Sequence, residues 1–329
     1  MRMRASVAVL LVVLIGCGGA PEEVVPLDPE IAALIHDLVD GTDYEKRQAA
    51  HDKLPAYGTV IVKPLADALD REDVDDSVGA WIAEVLATLG EDAEPAAPAL
   101  TRRLMQGGDC SATTSHALEM MGAKGVPWLV KAMASEHAKT RIWTSDALLD
   151  LLELAVPAAD VLCRALGDPD AEVRRNVAQA VAPLRAVADR AVPKLLAMTH
   201  DASEEVRESA VETLAEIRGE DPGVQARLKA LVLEDPEWGV RWAALNALRE
   251  HLGSDADALA FLRAVAALPD EEDGLRPRAV LMLVMRGVDE PGLVAEAATP
   301  EEHDTFTHDN RRAWHVSRSG PNGRKAALK

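Results

Sequence analysis

The phrase DPDAEVRRNVAQAVAPL, running from Asp168 to Leu184, returns in close paraphrase as DASEEVRESAVETLAEI from Asp201 to Ile217. Aligned on Val173 and Val206, the copies stand 33 residues apart, and their pattern recurs along the chain: a start residue often followed by Arg, a small residue four places on, and Leu or Val eight places on. The copies are KRQAAHDKL from Lys46, VGAWIAEVL from Val78, CSATTSHAL from Cys110, TRIWTSDAL from Thr140, VRRNVAQAV from Val173, VRESAVETL from Val206, VRWAALNAL from Val240 and LRPRAVLML from Leu275. Eight units at spacings of 30 to 35 residues predict a solenoid, since a unit this short cannot bury its own apolar side and must cover its neighbour's.

Within each unit the apolar residues fall at i, i+4 and i+7 or i+8, one stripe along an α-helix. A helix is also expected before each stripe, marked by proline near its first turn at Pro64, Pro98, Pro127, Pro157 and Pro193, where the missing amide costs nothing. Asp73, Asp168, Asp201, Asp235 and Asp270 stand five places before the aligned residue and are expected to cap the second helix of each pair. The fold class is therefore all-α, a solenoid of about eight helical hairpins, over residues 28–290. Sixteen helices so stacked predict an arc on the order of 80 Å. With 48% apolar residues and only 3% aromatic ones, the core must be built from Ala, Leu and Val.

The Asp, Val-Arg and Ala-Leu phrase of the units from Asp168 onward resembles HEAT repeats, in the short HEAT-like form first associated with phycocyanobilin lyases. The resemblance covers roughly residues 28–290 and is strongest at Val173, Val206 and Val240. It implies that Asp168, Asp201 and Asp235 join Arg174, Arg207 and Arg241 in a hydrogen-bond ladder between neighbouring units. Gly79 stands where that arginine belongs in the second unit, so Asp73 is expected to lose its partner.

The chain opens MRMR, continues apolar from Ala5 to Ile15 and reaches LIGC at Leu14 to Cys17. That is the layout of an export signal, and the run is too short for a permanent membrane span. The four residues resemble the lipobox of bacterial lipoproteins, which implies removal of residues 1–16, lipidation of Cys17 and a tether over 17–27 reaching about 40 Å. Gly18 after the cysteine, by resemblance to the sorting rule of such lipoproteins, implies the outer membrane of the cell envelope.

Without Arg2 and Arg4 the chain has 33 basic residues against 55 acidic ones, a surface that repels phosphate backbones, so nucleic acid is not an expected ligand. Cys110 and Cys163 are too few for a disulfide framework and read as small buried side chains. Toward the end, residues 291–313 are expected to form a capping helix. Residues 314–329 read as a basic disordered tail; from Asn310 onward Arg311, Arg312, Arg318, Arg324, Lys325 and Lys329 meet no acid.

The histidines are the first candidates for chemistry, because His36, His51, His200, His303 and His308 each precede an aspartate. The pairs occupy unrelated places in the repeat. His303 and His308, five apart, point to different faces of a helix. Deoxyhypusine hydroxylase, a HEAT-like metalloenzyme, is marked by His-Glu pairs, and this chain has none. No phosphate loop, nucleophile elbow or zinc-protease helix is present. Neither catalytic residue, metal nor cofactor is expected.

Two tryptophans remain. Trp81 and Trp143 each lie three residues after an aligned start, equivalent places two repeats apart, and are candidate anchors for a bound protein or peptide. Trp242, one place earlier in its unit, reads as packing. The expected function is a non-enzymatic, lipid-anchored scaffold that holds another envelope protein. The alternatives are an enzyme with its site near His303 and His308, and a structural spacer.

Overall fold

The computed structural model describes residues 27–184, 187–268 and 274–288. Among them sixteen α-helices form eight consecutive hairpins. The first helices are α1 (Pro29–Val39), α3 (Val62–Leu69), α5 (Ala97–Met105), α7 (Val126–Ala132), α9 (Ala159–Ala165), α11 (Ala188–Met198), α13 (Pro222–Glu234) and α15 (Ala256–Ala266). The second helices are α2 (Tyr44–Lys53), α4 (Asp76–Thr88), α6 (Ser111–Met120), α8 (Ala138–Asp150), α10 (Ala171–Val181), α12 (Glu204–Arg218), α14 (Trp238–His251) and α16 (Leu275–Met285). No strand occurs among the described residues.

Local sequence starts these helices. Asp28 accepts a hydrogen bond from the Glu30 amide at 2.8 Å and Pro29 supplies the first turn of α1. Ser203 Oγ caps α12 by accepting from the Val206 amide, with Glu204 and Glu205 complementing the positive end of the helix. Val206, Ala210 and Leu214 then recur every fourth residue and are buried.

The second helices stack in chain order from α2 to α16, each on the next. One apolar core, continuous from Ile31 to Leu283, runs between them and the first helices. Ala50, Ala83, Ala117, Ala178, Ala210 and Ala244 are all fully buried in the second helices, where a short side chain lets the stacked helices approach.

Two expectations about helix starts need correction. The second helices are capped two residues later than expected: Asp75, Asp170 and Ser203 occupy the cap of α4, α10 and α12, and Glu237 the corresponding place of α14 without a side-chain bond. Asp168, Asp201 and Asp235 instead accept from the amides of Asp170, Ser203 and Glu237, forming the turn that leads into the cap. Asp270 lies outside the described residues. Pro98 and Pro127 do stand at the second position of α5 and α7, and Pro64 at the third of α3. Pro157 falls in the 3-10 segment Leu152–Ala158 before α9, and Pro193 lies inside α11, because there the lead-in turn is α-helical and joins the helix.

Candidate binding surface

One edge of the solenoid carries the acid and arginine ladder. Arg141 donates through Nε and Nη2 to both carboxylate oxygens of Asp168 at 2.8 and 3.0 Å. Arg174 does the same to Asp201 at 2.8 Å twice, and Arg207 to Asp235 at 2.9 Å twice. Each bond pair crosses from one unit to the next. The remaining arm, Nη1, turns back on its own unit: Arg174 holds the carbonyls of Asp168 and Pro169, and Arg241 those of Asp235 and Pro236. An arginine thus clamps its own turn and its neighbour's aspartate together, which suits its planar fork. Burial pushes the Asp201 carboxyl up, but the Arg174 guanidinium and the Ser203 amide more than offset it and hold the group below the usual carboxylate range.

In the second unit the ladder changes hands. Asp73 does not go unpaired: Arg71 meets it at 2.9 and 2.7 Å and also reaches Asp40 at 2.6 Å. The room above Gly79 is taken by Arg103 from α5, whose Nε lies 3.2 Å from where a Cβ would stand and whose Nη2 donates to Asp76 at 2.9 Å. Arg71, Arg102 and Arg103 line a cleft of about 540 Å³, but Asp70, Asp73 and Asp76 already answer their charge.

The opposite feature is the seam between second helices, which is unexpectedly polar. Ser115 Oγ donates to the Trp143 carbonyl at 2.9 Å, Asn176 Nδ2 to Ser145 Oγ at 3.2 Å, and Thr213 Oγ1 to the Ala178 carbonyl at 2.9 Å. These bonds join adjacent units directionally where apolar contact alone would let helices slide.

Trp81 is half-buried. It packs edge-on between Tyr44 and His51 of the preceding second helix, with ring centroids 6.0 and 5.1 Å away. Trp143 is likewise half-buried. Trp81 thus packs against the neighbouring unit and still shows part of its ring. Tyr44 is far more open, at 68% exposed, and beside this cluster His51 bonds to Asp52 at 3.0 Å and lies 3.5 Å from Glu84. Trp242 packs against the core with Arg278 5.5 Å from its ring centre. Sequence reasoning missed Tyr44, Trp238, which is also exposed, and Arg141; the first two stand at the opening of their helices, before the apolar stripe begins, a position that itself signals exposure.

The histidine and aspartate pairs share a spelling and no environment. His36 bonds to Asp40, His51 to Asp52, and His200 to Arg227, while the adjacent Asp201 belongs to the ladder. Among the described residues no three His, Cys, Asp or Glu side chains gather to hold a metal ion. Cys110 and Cys163 are buried and unbridged, and burial pushes the Cys163 thiol up, away from the reactive thiolate. His303, His308, Cys17, residues 1–16, the tether to residue 26, the capping-helix region and the basic tail lie outside the described residues.

Residues 126–215, 159–249 and 192–284 match the family model of HEAT repeats. Kap95p bound to RanGDP is similar in structure at 14% identity, covering 82% of this chain and 42% of that one, with a TM-score of 0.53. The complex of CpcE and CpcF of phycocyanin lyase from Nostoc sp. PCC7120 is 24% identical over 46% of this chain and 98% of that one, at 0.41. Human deoxyhypusine hydroxylase is 20% identical over 79% and 96%, at 0.33. The last two superpose too loosely to bear on activity. No curated protein matches the chain. Residues 126–284 thus match HEAT repeats, and they stand in an α-solenoid of helical hairpins that begins at Pro29.

Proposed function

We propose that the protein is a non-enzymatic scaffold, tethered by a lipid on Cys17 to the outer membrane of a bacterial envelope, whose second-helix face holds a basic envelope protein or peptide. The observation that carries the reading is the cluster of Tyr44, His51 and Trp81, an aromatic surface bordered by the carboxylates of Asp52 and Glu84. Rings edged by acid attract lysine and arginine side chains through both ring face and charge. A solenoid spreads such contacts over several units instead of gathering them in a cleft. Among the described residues no helix is long and apolar enough to cross a membrane; in this reading a lipid on Cys17, helped by a second membrane contact, supplies the attachment.

Two experiments test the parts separately. Crosslinking in the native cell identifies the partner; Trp81→Ala with Trp143→Ala should then weaken its capture by about 2 kcal/mol per anchor, a loss of roughly thirtyfold for each, with helical circular dichroism retained. Undiminished capture would remove this face from consideration. For the anchor, Cys17→Ser should move the protein from the membrane fraction to the soluble one, and persistence in the membrane fraction would refute lipidation.

A further inference from the structure

The chain leaves several second helices through a corner with positive φ, always twelve residues after the aligned start. Gly58, Gly90, Gly122 and Gly287 take this corner at φ 62, 56, 58 and 77°. In the fourth unit the same place holds Leu152 at φ 50°, the one non-glycine residue with positive φ among the described residues. A Cβ crowds the next carbonyl there, and the leucine is 56% exposed, so burial does not compensate the strain.

Two more apolar side chains follow it into solvent, Leu154 at 51% and Val156 at 48% exposure. The fold does not require them. In the second unit the segment Gly90–Ala96 makes the same corner, and there Asp92 and Glu94 stand where Leu154 and Val156 stand in Leu152–Ala158, also exposed. Strain and exposed apolar surface coinciding on one corner mark a contact site.

The chain supplies an occupant. Gly287 and Val288 follow α16, a second helix, so the C-terminal segment departs from the same edge on which Leu152 lies, four units away or about 40 Å. The residues from Val288 to Trp314 span up to about 90 Å, ample to return. Around Trp314 and Val316 the sequence carries Arg311, Arg312 and Arg318 and, from Asn310 onward, no acid, whereas the corner carries the exposed carboxylate of Glu153 between Leu152 and Leu154. Tethering gives even a weak contact an effective concentration on the order of millimolar.

We propose that residues 311–318 dock on the corner of the fourth unit, Trp314 and Val316 covering Leu152, Leu154 and Val156 while the arginines face Glu153. The contact uses the edge and not the second-helix face, so it stands independently of the partner-binding reading above. It closes the chain end onto the middle of the solenoid.

Hydrogen exchange read by mass spectrometry on the full chain tests this. Amides of 311–318 should exchange at least about tenfold faster in Leu154→Asp with Val156→Glu than in the unaltered protein. That variant copies the second unit's own corner, so the fold tolerates it. Reciprocally, Trp314→Ala should unprotect the segment 152–158. Equal exchange in all three proteins overturns the proposal, and so does protection that disappears on dilution, which would assign the corner to a second copy.

Discussion

Asp235→Ala is expected to lower the unfolding free energy by about 3–5 kcal/mol, the cost of stranding a buried charge. Asp235 and Arg207 are each only 8% exposed, and the carboxylate takes both guanidinium bonds at 2.9 Å together with the Glu237 amide at 3.0 Å. With the aspartate gone, Arg207 keeps its bonds to the carbonyls of Asp201 and Ala202 but loses the one carboxylate that both its fork nitrogens bond, with Glu204 and Glu237 acting on it only through space. The turn into α14 loses its hydrogen-bond acceptor as well. The control is Asp160→Ala, which breaks a pair with Arg190 whose side chains are mostly in water and should cost less than about 1 kcal/mol. Equilibrium urea unfolding of both variants gives the comparison. Equal losses would mean that the ladder does not hold the units together.

Gly125→Ala should cost about 3 kcal/mol, near the upper end for an overpacked core. A Cβ at this buried position would stand 1.8 Å from the Leu118 carbonyl oxygen and 2.8 Å from its carbon. Both atoms are α6 backbone and cannot rotate away, so α7 must move off α6. Gly122→Ala separates crowding from conformation: only the tip of Glu91 comes within 4 Å of its Cβ, at 3.9 Å, an ordinary contact, and the positive φ of 58° opposes it at about 1 kcal/mol. Thermal melts that place the two variants at the same midpoint would contradict the close approach at Gly125.

The hairpins were legible because helix periodicity is local: four-residue spacing in VRESAVETL puts Val206, Ala210 and Leu214 on one side whatever surrounds them. The placing of the caps was less so. Asp and Ser both cap helices, and in DPDAEV two aspartates compete; which one caps depends on where the preceding turn ends, and Asp170 prevails because Arg141 takes Asp168. The candidate surface was half legible. Two equivalent tryptophans could be found by counting, but counting does not say that Tyr44 and His51 of the neighbouring unit would enclose Trp81.

By itself, then, the order of residues determined that this chain is a row of eight helical pairs, and which aspartates and arginines sit at each turn. Those properties follow from backbone periodicity and from side chains within a few positions of one another. Only the tertiary structure decided that each arginine grips the next unit's aspartate, that Arg103 fills the room left by Gly79, and that Leu152 makes a glycine's turn in the open. Such contacts join residues about thirty positions apart, and their geometry depends on how closely one pair settles against another, a quantity set by packing.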